Sequence, residues 1–303
     1  MGVTAVGGTN AGLNTRATKL ARSAFVELIS RPHLDAFQQE RLIPRNIDLN
    51  MRLIQSPNVF MCKSVAPAHW GQQEHCKFVI QCANLIIRTK ELTNTAYKAL
   101  MDLLLSQNMV HHLSRVQLKH LSMSANQTSI NFDNNYTGVL PDLNVVGLVS
   151  DGDLTGGYQR NPFNYQTFGV NRIELKRNGT TRPTEGYTPN FENGQYIIAY
   201  LKFHQELECD TGDKSVCLTP SEWENGYTLY TLKISDGPIG QGTYGPWSKS
   251  ATGSALLEIS FAAAVNENIN VIIYYQMLGR REFDKFHAVI ILWVSKVDFT
   301  LER

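Results

Sequence analysis

Charge of one sign is not in excess in this chain: 28 Lys and Arg stand against 27 Asp and Glu, and charged residues make up only 18% of the sequence. A polypeptide so balanced has no global pull towards nucleic acid or an anionic membrane, which leaves only a local basic patch to do such work. Cysteine is scarce too. The five present, Cys62, Cys76, Cys82, Cys209 and Cys217, form no C-x-x-C pair and no repeated spacing. An odd count does not build a full disulfide framework, so they read as reduced thiols inside a cell. Long apolar runs are missing: the longest, residues 288–294, falls far short of the roughly 18 residues that cross a bilayer, and no membrane span is expected. The amino terminus lacks the basic-then-apolar signal pattern, which makes the N-x-[ST] sequons at Asn126, Asn135 and Asn178 chance matches.

The signatures of catalysis are absent in the same way. There is no Gly-rich loop ending in Gly-Lys-Ser/Thr, no GxGxxG following a strand and no GxSxG elbow. His111, His112 and His120, and His69 near His75 and Cys76, carry zinc-capable atoms, but none has the HExxH or paired CxxC spacing. Asp151-Gly152-Asp153, with Asn144 nearby, misses the calcium-loop pattern and reads as a turn. Glu222 and Glu224 around Trp223 are of the type that flanks a sugar, yet one such pair is thin ground for a glycosidase. No catalytic, cofactor-binding or metal-binding residue is assigned, no cofactor is called for, and an enzyme is not expected.

What is there is a chain of 303 residues, 43% hydrophobic, enough for one large or two ordinary domains with real cores. Residues 1–12 have no pattern and read as a loose leader. Leu13, Ala17, Leu20, Ala21, Ala24 and Leu28 fall three or four apart, giving a short amphipathic helix with Arg16, Lys19 and Arg22 on its solvated side. Residues 47–53 alternate cleanly, as a half-buried strand does, and residues 78–89 form a second, longer strand with Val79, Ala83, Leu85 and Ile87 on one face. Then the period changes: Thr93 is an N-cap candidate and Ala96, Leu100, Leu103 and Leu104 share one side, predicting a helix over 93–109 at a seam between domains.

Past His111-His112, strands are predicted at 115–123, 144–149, 170–177, 226–234, 254–261 and 268–277, punctuated by turn signals such as Asn178-Gly179 and Asn225-Gly226. Residues 196–207 suit either a strand, through Ile197 and Ile198, or a helix, through Tyr196, Tyr200 and Phe203. The centre of the pattern is 145–168, where a run of β-formers stops at a Gly- and Asp-rich turn and enters Asn161-Pro162-Phe163-Asn164-Tyr165. Pro162 holds Asn161 extended and removes one donor, so a buried strand feeds a long, ordered, aromatic-pinned loop. Strands separated by long loops describe a sandwich or jelly roll, two antiparallel sheets face to face, in an interaction or structural protein.

The same residues carry a resemblance. Val145-Val146-Gly147-Leu148-Val149, followed by Gly156-Gly157-Tyr158 and Asn161-Pro162-Phe163-Asn164-Tyr165, resembles the signature of the hexon-like major capsid proteins of Polinton/Maverick elements and adintoviruses. Further pieces match in the same order: Leu34-Asp35-x-Phe37-x-Gln39-x-Arg41-Leu42, Asp48-Leu49-x-Met51-Arg52-Leu53, Pro189-x-Phe191-Glu192-Asn193-Gly194-x-Tyr196, Asn225-Gly226-Tyr227-Thr228-Leu229-Tyr230, Leu257-Glu258-x-x-Phe261-Ala262 and Asn270-Val271-Ile272-Ile273-Tyr274. Together they span most of 13–285.

The resemblance implies an all-β fold of the double jelly-roll capsid type, N-terminally truncated, with the first jelly roll incomplete, one inter-barrel helix and a complete second jelly roll. The implied division is a leader at 1–22, a partial first jelly roll at 23–92, the inter-barrel helix at 93–112, the second jelly roll at 113–287 and a divergent tail at 288–303. It further implies a structural major capsid protein of a double-stranded DNA virus or virus-like transposon, as a homotrimer forming a pseudo-hexagonal capsomer. Penton and minor capsid proteins are the implied partners; packaged double-stranded DNA would be touched at most weakly and non-specifically, and a membrane not at all. The implied location is the virion, after an intracellular stage in the host. Half a sandwich leaves an edge unpaired and an apolar face uncovered. The truncation therefore keeps a second reading open, a domesticated or truncated jelly-roll binding module with no capsid role.

Overall fold

The computed structural model describes residues 11–20, 24–32, 37, 42–45, 47, 51–62, 77–133, 136, 140–158, 160–207, 209, 216–234, 253–284 and 289–291. Eight strands carry the architecture: β1 Met109–Met123, β2 Ser129–Phe132, β3 Leu143–Ser150, β4 Val170–Arg177, β5 Thr180–Tyr187, β6 Leu229–Lys233, β7 Ala255–Phe261 and β8 Ile269–Phe283. One sheet runs β1-β8-β3-β6 and the other β2-β7-β4-β5, with every pairing antiparallel. The first strand pairs with the eighth, the second with the seventh, the third with the sixth and the fourth with the fifth. That is one long four-layered hairpin rolled into two sheets, the wiring of a jelly roll. A ninth strand, β9 Val289–Ile291, adds to the far end of β8.

The core lies between the sheets. On β7 burial alternates residue by residue, with Ala255, Leu257, Ile259 and Phe261 inside. They meet Val146 and Leu148 of β3, Ile173 and Leu175 of β4, and Val271 and Ile273 of β8. The period-two pattern puts one face of each strand inside and leaves the other to loops and solvent.

Helices fill the connections. α1 spans Ala11–Leu20 and α2 spans Asn58–Met61. α3, Asn94–Ser106, starts where predicted: the Thr93 side chain accepts from the Ala96 N–H at 3.4 Å. It ends three residues before the predicted 109, because the chain is already in β1 at Met109; His111 and His112 therefore belong to the strand and not to an inter-barrel helix. α4 is Asp151–Thr155, α5 Ile197–Glu206 and α6 Pro220–Glu224. α5 settles the open reading of 196–207 as a helix, since Ala199 and Phe203, four apart, enter the core while Ile197 and Ile198 face out.

Other expectations need correction. Residues 78–89 alternate but join no ladder and are exposed throughout. Of residues 47–53, positions 47 and 51–53 are likewise outside any ladder, and 48–50 lie outside the described residues. Alternation supplies a face for a strand but not the neighbouring backbone it must bond to. Among the described residues, 24–107 contribute no strand to either sheet. Of the helix predicted through Leu28, α1 covers the part up to Leu20, residues 21–23 lie outside the described residues, and residues 24–30 are exposed without regular structure. Of the predicted divergent tail, only 289–291 are described, as β9.

Candidate functional site

The most elaborately built surface is the loop after β3. Ser150, the last residue of that strand, caps α4 by accepting from the Asp153 N–H at 3.1 Å. The predicted Asp-Gly-Asp turn is thus one short helical turn, with Asp151 and Asp153 at its positive end. Both carboxylates are engaged. Asp151 accepts from the Asn270 side chain of β8 at 2.8 Å, and the same amide accepts from the Ser122 hydroxyl of β1 at 2.6 Å. Asp153 pairs with Arg160 at 3.7 Å and accepts from Asn164 at 3.5 Å. A Cβ on Gly152 would fall 2.2 Å from the Arg160 guanidinium, so that glycine makes room for the ion pair.

Further along, Asn161 accepts from the Phe163 N–H at 3.2 Å, an Asx turn that orders the Asn-Pro-Phe corner. Tyr165 donates its N–H to Gly226 O at 3.0 Å and accepts from the Thr228 N–H at 3.1 Å, while Gln166 donates to Leu148 O at 3.0 Å. The loop is therefore stitched to β3 and to the strand leading into β6. On the outer face of the first sheet the Tyr165 ring lies over Gly147, close to Leu229. The far edge of the loop is met by α2: the Phe60 ring stands edge-on to Phe163 with centroids 5.9 Å apart.

A second built region surrounds Trp223, which is fully buried. Phe191 and Tyr196 stack with it at centroid distances of 6.3 and 6.0 Å, and Tyr230 meets it edge-on at 5.7 Å. Its indole N–H donates to Leu229 O at 3.3 Å. Glu222 closes a capping box on Thr219, accepting from the backbone N–H at 3.0 Å and the hydroxyl at 2.9 Å. Those two donors hold its carboxyl below the usual carboxylate range. A glycosidase acid needs the opposite shift and a sugar platform needs an open ring face. Glu222 and Trp223 are committed to structure.

A charged network lies on the outer face of the second sheet. Glu174, whose side chain is nearly buried, pairs with Arg172 at 2.8 Å and Lys176 at 3.2 Å, and Lys176 reaches Glu258 of β7 at 2.6 Å. Burial pushes Glu174 up, but hydrogen bonds with Arg172, Glu258 and Lys176 outweigh it and leave the carboxyl below its ordinary range.

The histidines singled out for zinc that are described, His111, His112 and His120, do not form a metal site. His111 is buried edge-on to Phe283 at 4.8 Å, His112 and His120 are exposed, and His69, His75 and Cys76 lie outside the described residues. Among the described residues no group of three or more His, Cys, Asp or Glu side chains is placed to hold a metal ion. Among the described residues no helix is long and apolar enough to cross a membrane. Sequence reasoning missed Phe60, whose contact with Phe163 no local pattern announces.

No family model matches the chain. An uncharacterized protein of Caenorhabditis elegans is 20% identical over 216 residues, covering 69% of this chain and 49% of that protein. Among solved structures, the crystal structure of PBCV-1 VP54, fitted into a reconstruction of the virophage Sputnik, matches with a TM-score of 0.39 and 11% identity over 62% of this chain and 52% of its own. The mavirus major capsid protein matches with a TM-score of 0.33 and 9% identity over 61% and 41%. The cryo-EM structure of the Sputnik virophage gives 0.37 and 12% over 65% and 41%. The chain spans about half the length of these matched proteins, or less.

Proposed function

We propose that this chain is a shell subunit: a structural, non-enzymatic major capsid protein of the hexon-like kind carried by Polinton/Maverick elements and adintoviruses, acting as a trimer in a pseudo-hexagonal capsomer. One observation carries the reading. The ordered motif blocks that carry the resemblance fall, in the described part of the chain, on residues that build one jelly roll and seat its long loop. Gly147 and Tyr165 meet across the outer face, Asn164 and Gly226 come together beneath the loop, and Phe191, Tyr196 and Tyr230 surround Trp223. A scaffold whose polar groups are used to fix loops suits lateral packing and not turnover.

The exposed apolar side chains ahead of the jelly roll fit the same reading. Phe25, Ile29, Ile54 and Ile86 are 77–90% exposed, an arrangement that calls for burial against further protein. In this reading, residues 23–92 belong to a first jelly roll and the trimer's neighbours are penton and minor capsid proteins. Negative-stain electron microscopy of the concentrated protein tests it: three-lobed capsomers or shell-like particles are expected. Isolated single lobes at every concentration would favour the binding-module alternative.

A further inference from the structure

The part of the chain that precedes α3 rests on the jelly roll through α2. A Cβ on Gly156 would lie 3.3 Å from Phe60 Cα and from Val59 O, so a glycine there lets the backbone of α2 come down onto the loop. Gly156 also has a φ of +91°, a conformation that side chains disfavour. The Phe60–Phe163 edge contact completes the seat. The arm is braced internally, with the Gln55 side chain donating to Phe78 O at 2.7 Å and the Phe78 N–H to the Asn58 side chain at 3.2 Å.

Between this brace and α3 run residues 79–92, exposed along their whole length and outside any ladder. Extended at about 3.3–3.6 Å per residue, such a stretch outreaches the roughly 30 Å width of a small domain. Beside the brace Leu53, Ile54, Val79 and Ile80 stay 47–77% exposed, and Phe163 is 59% exposed even beneath the arm. The surroundings of the seat therefore still have apolar area to bury.

We propose that α2 is an exchangeable arm, which in an oligomer seats on the 156–163 loop of a neighbouring copy of this chain. Every copy offers the same seat, so exchange keeps each contact and changes only which chain supplies it, the low-cost route to association by swapping. The long exposed connection supplies the reach. This inference rests on the self-association proposed above, but not on its being viral.

Complementation tests it. Phe60→Ala and Phe163→Ala chains each have a broken seat when alone, and hydrogen exchange of residues 156–163 should be faster in both than in the unaltered protein. On mixing, the intact arm of the Phe163→Ala chain can reach the intact loop of the Phe60→Ala chain, and protection of that loop should return. Loops that stay unprotected in the mixture, while light scattering shows mixed oligomers, overturn the exchange and leave the shell reading standing. An absence of oligomers at all concentrations, with no return of protection, sinks both. Single substitutions that leave exchange unchanged overturn the seat itself. A second measurement needs no mutant defect: with the native cysteines changed to serine, Phe60→Cys and Phe163→Cys chains carrying different tags should be joined by a short bismaleimide. No linkage between the two tagged chains, while a single chain carrying both substitutions is linked within itself, would contradict the proposal.

Discussion

Tyr165 lies on Gly147 so closely that a methyl group at Gly147 would sit 2.6 Å from the ring's Cδ1, with Leu229 Cδ2 a further obstacle at 2.8 Å. The two residues are 18 positions apart, one in the middle of β3 and the other at the end of the long loop, and their contact fixes where that loop crosses the sheet.

Gly147→Ala should therefore behave as an overpacked site and lose about 1–3 kcal/mol of stability. Tyr165→Ala should also destabilise, by removing the ring and its burial. Because the first lesion is a clash with the second residue, the losses should not add, and a double-mutant cycle by urea denaturation should show coupling of about 0.5–3 kcal/mol. Simple additivity would mean that the ring does not rest on Gly147.

Glu174 gives the fold an acid-sensitive component. Its folded pKa lies below that of the unfolded chain, so the stabilisation is fully present above roughly pH 4.3 and is lost as pH falls through the folded value. Glu174→Gln should narrow the difference between urea midpoints measured at neutral pH and at acid pH. Glu206 on α5 acts in the opposite sense: burial pushes its carboxyl up, so it opposes folding as pH rises through the carboxylate range. Glu206→Gln should gain stability at neutral pH and nothing at acid pH. Equal midpoint shifts for the two variants would contradict this assignment.

Trp223, with no exposed surface, is the largest fully buried side chain among the described residues. Trp223→Ala should cost about 3–5 kcal/mol, whereas Trp223→Phe keeps the stack with Phe191 and Tyr196 and should cost less. Thermal unfolding of the two variants separates this structural role from a sugar platform. A binding platform would tolerate both substitutions with little change in melting temperature.

Much of the sandwich was legible because burial on one face writes itself as alternation. Val170–Arg177 has the bounds read from the sequence, and Ala255–Phe261 differs by one residue. β5 was hidden by Pro183 and Gly186, residues that argue against a central strand; it lies at a sheet edge, where proline is tolerated. β2 is four residues long, too short for a period to show. Residues 78–89 show the reverse failure, since their alternation describes a face while the partner that would make it a strand is not among the described residues of this chain. The loop's position was only half readable. Asn161-Pro162-Phe163 announces an ordered corner, but the landing of Tyr165 on Gly147 and of α2 on Gly156 are long-range contacts with no local signal.

The central claim, that this jelly roll is a shell subunit and not an isolated binding module, is tested most directly by the mass of the purified chain in solution, measured by light scattering across a range of concentrations. The account predicts a species of three times the chain mass that persists on dilution. A monomer at every concentration would contradict it.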